Sequence, residues 1–218
     1  VSKSAGGTFD GNITAAGTIT VTGNADLNGD LDVDGTTNLD AVDVDGAVNF
    51  AADVTFADGA DIITASAGTS NFRAGVNAGN SIASGGASNV TVGDESGTAI
   101  TTGTHNVAVG YESLKTEDAH GHNTAVGSQA LKTLNAGADG KNTAVGAFAG
   151  KLMTEGVQNT LIGGLAGDAL THADFNTVVG YQALSADTFG HRSTAIGYSA
   201  LNAQNFASST NSSNTAVG

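Results

Sequence analysis

Two short segments carry residue types that bind metal ions. Residues 30–35 read D-L-D-V-D-G, the opening of a calcium loop, but the twelfth position of such a loop, which needs a bidentate Glu, is Ala41. The apolar residues of that segment also continue a strand alternation. His120 and His122 form an H-x-H pair, but they lie in a loop that we expect to point outward. We therefore predict no metal site and no cofactor.

Carboxylates are the other groups that could do chemistry. Enzymes that cut polysaccharides by hydrolysis place two of them about 5–9.5 Å apart. All but the first of the candidates in residues 65–218 fall in loops of varied length: Glu112, Glu117, Asp118, Asp139, Glu155, Asp168, Asp174 and Asp187. No segment resembles a nucleophile elbow, a zinc helix or a phosphate loop. We predict that the chain is not an enzyme and has no catalytic residues.

Two rows of side chains could form binding surfaces. Tyr111, Tyr181 and Tyr198 share one position of a repeat, although smaller residues interrupt the row. Lys115, Lys132 and Lys151 share another position and should line up on an outer ridge. The Asn that opens each repeat is expected to form a hydrogen-bonded ladder along the stack, a structural role rather than a binding one.

The composition excludes several classes of protein. The 218 residues include 32 Gly and no Pro, Cys or Trp, and the formal charge is −14. There is no basic stripe to replace the counterions of nucleic acid, and no apolar run long enough to insert in a membrane. Large apolar side chains are scarce, and a thin, repetitive β-structure suits this mixture.

The first repeat lies in residues 1–64. Gly11, Gly17, Gly23, Gly29 and Gly35 recur every six residues, and apolar and polar residues alternate between them. Strict alternation is typical of strands with one dry face and one wet face. We predict a thin β-helical or β-prism stalk, either interlaced or wound as three separate helices. Its apolar face is too thin for a stable monomer, so we expect three parallel copies.

The second repeat is a five-residue motif that ends in Gly and recurs about every 17 residues. Its copies start at Asn89, Asn106, Asn123, Asn142, Asn159, Asn176, Ser193 and Asn214, and a degenerate copy starts at Asn71. A second element follows each motif from Asn106 onward, as in YESL at Tyr111, and we expect it to be a second short strand. Each coil of such a solenoid buries little alone, and stacking the coils buries a continuous core.

Motifs such as STAIG at Ser193 and NVAVG at Asn106 resemble the head repeat of trimeric autotransporter adhesins. The resemblance covers residues 89–218 and implies a parallel β-roll with three chains side by side. The period of 17 is longer than that family's, and the second element ends in Ala-Leu or Ala-Gly. The 17-residue form preceded by a glycine-hexad segment looks most like bacteriophage tail fibres, which implies a trimeric fibre that faces a host.

The resulting prediction is an all-β, trimeric, fibrous β-solenoid. Residues 1–64 form the stalk, residues 65–88 a transition and residues 89–218 the roll. The last coil of the roll is incomplete, so we expect more chain beyond Gly218.

The predicted function is the shaft of a virion or tail fibre that carries a receptor-binding tip. Predicted partners are two further copies, other virion proteins and host surface glycan or protein. A bacterial cell-surface adhesin is the alternative, and a polysaccharide-degrading tailspike is less favoured. Loops lengthened at Leu134–Lys141 and Asn202–Ser213 are where binding would vary.

Overall fold

The computed structural model describes residue 64, residues 66–218 and the single positions 18 and 48. The coils below belong to the second of two compact units, Phe56–Gly218. The predicted stalk, with its D-L-D-V-D-G segment, lies outside the described residues apart from single positions. Its predicted architecture therefore stays a prediction.

Residues 66–218 form a parallel β-solenoid, as predicted. Nine three-residue strands stack in one parallel sheet, in chain order and in register: β1 Phe72–Ala74, β2 Val90–Val92, β3 Val107–Val109, β4 Thr124–Val126, β5 Thr143–Val145, β6 Thr160–Ile162, β7 Thr177–Val179, β9 Thr194–Ile196 and β11 Thr215–Val217. A separate pair joins β8 Gly190–His191 to β10 Thr210–Asn211. The degenerate copy at Asn71 is confirmed as a coil, because its strand β1 pairs with β2.

The Gly that ends each motif turns the chain out of the strand. Its φ lies between +115° and +139° in every coil, a region that other residues rarely adopt. A Cβ at Gly127 would also overlap the backbone of Gly146 in the next coil. Both the turn and the close stacking of coils therefore require glycine at this position.

The prediction that each coil has a second strand is wrong. After the turning Gly, the chain runs through turns in which every second residue is left-handed, such as Glu112 at φ 53° and Leu114 at φ 48°. These turns still form a ladder between coils. The Glu112 N–H donates to the carbonyl of Asp94 in the preceding coil, and the Leu114 N–H donates to that of Ala130 in the next. The element thus bonds in both directions, as a strand would.

The core is narrow, and two positions of each coil fill it: the middle residue of the strand and the residue at the position of Leu114 and Leu131. The middle residue of each strand points inward and is small in most coils, as at Ala108 and Ala125, where a buried Leu114 or Leu131 fills the space. In the coil of β6 the order is reversed: Leu161 points inward and Gly167 stands at the Leu position. A Cβ on Gly167 would press against the side chain of Leu161. The coil of β5 has small residues at both positions, Ala144 and Gly150, and a Cβ on Gly150 would also meet the side chain of Leu161. The core volume is therefore shared between neighbouring coils.

The predicted asparagine ladder is confirmed. The Oδ1 atom of Asn142 accepts the backbone N–H of Asn159 at 2.9 Å, and its Nδ2 donates to the carbonyl of Gly156 at 2.8 Å. The Oδ1-to-backbone bond recurs at 2.8–3.2 Å along the whole row, which comprises Asn71, Asn89, Asn106, Asn123, Asn142, Asn159, Asn176 and finally Ser193. All of these side chains are buried. One amide thus bonds both to the first residue of the next coil and to the loop of its own coil that leads there.

Replacing one member of this ladder should destabilise the stack strongly. In Asn142→Ala, the N–H of Asn159 and the carbonyl of Gly156 lose buried partners, at about 1–3 kcal/mol each. We expect the free energy of unfolding to fall by about 2–4 kcal/mol in urea denaturation followed by circular dichroism. Glu155→Ala, an exposed change in the same coil, is the matched control. Equal denaturation midpoints for the two variants would contradict a structural role for the ladder.

Candidate functional site

Two carboxylates occupy core positions that are apolar in other coils. The twelfth residue counted from the motif Asn lies in the core, and in most coils it is apolar: Ile82, Ile100, Leu134, Met153 and Leu170. In two coils it is Glu117 or Asp187, and both are 0% exposed. Both lie in inter-strand loops, as predicted, but their side chains point into the core, so the expected outward direction of the loop with His120 and His122 is wrong for Glu117. Since a buried charge is costly unless it is paired or hydrogen-bonded, the partners of each decide what it does.

Asp187 has a full set of partners from the protein. Its Oδ1 accepts the N–H groups of Gly190 at 3.1 Å and Phe206 at 3.2 Å, and its Oδ2 accepts Nε2–H of Gln204 at 2.6 Å. Phe206 and Gln204 belong to the lengthened loop Asn202–Ser213. Asp187 therefore anchors that loop onto the preceding coil, where β10 also pairs with β8.

Glu117 repeats this arrangement in part. Its Oε1 accepts the N–H of His120 at 3.2 Å, and its Oε2 accepts the N–H of Ala136 at 3.3 Å. Ala136 belongs to the other lengthened loop, Leu134–Lys141. The residue that corresponds to Gln204 is Leu134, which has no side-chain donor. Burial raises the pKa of the Glu117 carboxyl above its usual value, so this carboxylate has less compensation than Asp187.

Glu117 belongs to a cluster with Asp118 and His120. One ligand atom of each residue lies within 4.8 Å of the other two. The Nδ1 atom of His120 is 3.4 Å from Oε1 of Glu117. That nitrogen is buried and has no hydrogen bond of acceptable geometry. The three side chains thus present two carboxylates and one imidazole nitrogen to a common point.

His120 and His122 do not act as a pair. His120 turns toward the core, whereas the ring of His122 stacks at 5.0 Å on that of His105 in the preceding coil, nearly parallel to it. The Nε2 atom of His122 is 3.7 Å from Oδ2 of Asp139. In the H-x-H segment, Nδ1 of His120 therefore faces the buried carboxylate of Glu117, although the His120 side chain is 31% exposed, and His122 faces the exposed carboxylate of Asp139.

The predicted lysine row is in register, but two of its members are neutralised. Lys115 Nζ lies 2.7 Å from Oε1 of Glu112 and 3.0 Å from Oε2 of Glu95, and Lys132 Nζ lies 2.7 Å from Oε2 of Glu112. Hydrogen bonds from Lys115 and then Lys132 lower the pKa of Glu112 to about 2. Around Lys115 and Lys132 the ridge is therefore a network of ion pairs, whereas Nζ of Lys151 lies 5.1 Å from the centre of the Phe148 ring.

The outer face of the nine-stranded sheet carries two rows of β-branched residues. The first residue of each strand is Thr from β4 onward, and the third is Val or Ile from β2 onward. Among the third residues, Val145 is 38% exposed, Ile162 40%, Ile196 38% and Val217 73%. Strands stack at about 4.8 Å, so this face extends over roughly 40 Å. Partly exposed Val and Ile side chains thus follow one line along the stack.

The tyrosine row forms a local stack at one end. The rings of Tyr181 and Tyr198 are 5.9 Å apart and nearly parallel, and these residues are 49% and 72% exposed. Tyr111 is equally exposed but is separated from them by three coils that carry smaller residues. Only two of the three predicted members therefore act together.

Comparisons of the chain with protein-family models, with curated proteins and with solved structures gave no match. Within the described coils there is no cleft of a size to hold a small molecule. The same part of the chain has no helix that is long and apolar enough to cross a bilayer.

The Glu112 network should make stability depend on pH in the acid range. The folded-state pKa of about 2 lies below the unfolded value of about 4.5, so the stabilisation is complete above about pH 4.5 and is lost as the pH falls toward 2. In Glu112→Gln we expect a lower melting temperature at pH 7 and a smaller decline between pH 4.5 and 2 than in the wild type. Exposed Glu155→Gln is the control, and parallel melting curves for Glu112→Gln and the wild type would refute the network's contribution.

Proposed function

We propose that the chain is a structural segment of a trimeric fibre, the shaft of a virion or tail fibre that carries a receptor-binding tip. The observation that carries this proposal is the unbroken sheet of nine strands, reinforced by the buried asparagine row. Each coil is bonded to the next through its strand, its turns and its loop. Such continuous pairing along one axis resists bending and suits a spacer that transmits force.

The outer sheet face supports the association of three chains. Rows of Val and Ile along one line form an apolar strip of constant chemistry. A second copy of the same solenoid presents the same strip at the same spacing, so parallel copies match one another along their whole length. Exposed apolar strips of this extent are typical of protein–protein interfaces.

The exposed tyrosine stack favours the alternative, a cell-surface adhesin whose coils themselves contact the host. Paired aromatic rings such as Tyr181 and Tyr198 present flat faces on which sugar rings can stack. Antibodies raised against residues 66–218 distinguish the two functions. Labelling of the appendages of purified virus particles supports the fibre, and labelling of bacterial cell surfaces free of particles supports the adhesin instead.

The oligomeric state tests the fibre proposal directly. We expect light scattering to give about three times the 21.3 kDa of one chain. Because the stalk is expected to associate by itself, the interface is tested in the second compact unit alone, Phe56–Gly218. There the double variant Ile162→Lys, Ile196→Lys places charges in the apolar strip and should give single chains, because buried unpaired lysines are costly. Leu152→Lys is the matched control, since Leu152 is 48% exposed in a turn away from the strands. A monomeric wild type, or a double variant that stays trimeric, would overturn this assignment of the interface.

A further inference from the structure

We propose that Glu117, Asp118 and His120 form a binding site for one divalent transition-metal ion of the zinc type, at the loop edge of the coil that contains β3. The proposal is independent of the fibre function. It starts from the combination, in one coil, of a carboxylate at position twelve with an imidazole at position fifteen, which no other described coil has. Position twelve is Glu117, where most other coils have an aliphatic residue. Position fifteen is His120, and the residues at this position in the coils that contain β2, β5, β6 and β7 are Gly103, Gly156, Ala173 and Gly190.

The distances fit zinc coordination. Nitrogen and oxygen ligands bind zinc at about 2.0–2.2 Å in tetrahedral geometry, which places two ligand atoms about 3.4 Å apart. The Nδ1 atom of His120 and Oε1 of Glu117 are 3.4 Å apart. An oxygen of Asp118 lies within 4.8 Å of both atoms, so a small side-chain rotation brings it into the same shell. One imidazole and two carboxylates suit zinc-type ions better than calcium.

The second observation is that the buried groups of this cluster have too few hydrogen-bond partners. Nδ1 of His120 is buried without a hydrogen bond. Glu117 is fully buried and accepts only two backbone N–H groups, at 3.2 and 3.3 Å. Asp187 is the internal comparison: it holds the same position, but Gln204 supplies the side-chain donor and Gly190 replaces the imidazole. An ion between Glu117 and His120 would satisfy both groups at once.

The bound ion would also hold the lengthened loop of the next coil. Oε2 of Glu117 accepts the N–H of Ala136 in Leu134–Lys141, so fixing the carboxylate fixes that contact. Metal binding should therefore raise the melting temperature as well as occupy the site.

The test is equilibrium dialysis of the chelator-treated full chain against zinc, with bound metal counted by atomic emission and affinity measured by calorimetry. We expect one ion per chain and a rise in melting temperature on adding zinc. His120→Ala should weaken binding by more than the about 10–100-fold that loss of an outer-shell partner costs. Asp118→Asn changes a partly exposed side chain and serves if His120→Ala does not fold.

His172→Ala is the matched control, because His172 also faces a carboxylate, with Nε2 3.7 Å from Oε2 of Glu155, but on an exposed loop. It should bind zinc as the wild type does. The proposal is overturned if the wild type binds no zinc, or if His120→Ala and Asp118→Asn both retain wild-type affinity. It is equally overturned if binding is lost only on mutating the stacked His105 and His122.

Discussion

The structure depends on how the asparagine row is bonded between coils. The residue before each Asn is left-handed, as at His122 and Gln158, so the chain changes direction just where a strand begins. At such a corner the backbone N–H points along the stack and has no strand partner of its own. The Oδ1 atom of the Asn in the preceding coil accepts it, as Asn142 does from Asn159. The corner is thereby held in register, and the strand and loop on either side of it follow.

Once this register is set, the narrow core leaves little freedom in the choice of its side chains. The inward-pointing Leu161 would meet a Cβ built on Gly167 in its own coil or on Gly150 in the preceding coil. The left-handed turn tolerates glycine or leucine at that position, because the backbone is held by bonds to both neighbouring coils. Variation in the core is therefore an exchange of volume that involves neighbouring coils as well as the two sides of one coil.

The motif spacing was enough to predict the solenoid, the strand positions and the asparagine ladder, since these depend on residues that repeat at the same place in each coil. The second element was predicted as a strand because it recurs after each motif, as in Tyr111–Leu114, and recurrence alone does not distinguish a strand from a turn of alternating handedness. The Lys115 and Lys132 ridge was predicted without Glu112, which neutralises both from another position of the repeat. The burial of Glu117 and Asp187 was missed because only the motif and the second element were aligned. Extending the alignment to the twelfth position shows both acids in an apolar column.

Loop length and core chemistry are coupled between neighbouring coils. Each of the two acids at the twelfth position lies in the coil just before a lengthened loop and accepts a backbone N–H from that loop: Ala136 for Glu117 and Phe206 for Asp187. In the coil of β5, which has the ordinary length, the N–H at the same position, that of Glu155, donates instead to the carbonyl of Thr171. Without the acid, the N–H of the lengthened loop would lose its acceptor, at a cost of about 1–3 kcal/mol if it stayed buried. The acid in one coil thus supports the lengthened loop in the next, and substitutions at the two places should not be independent.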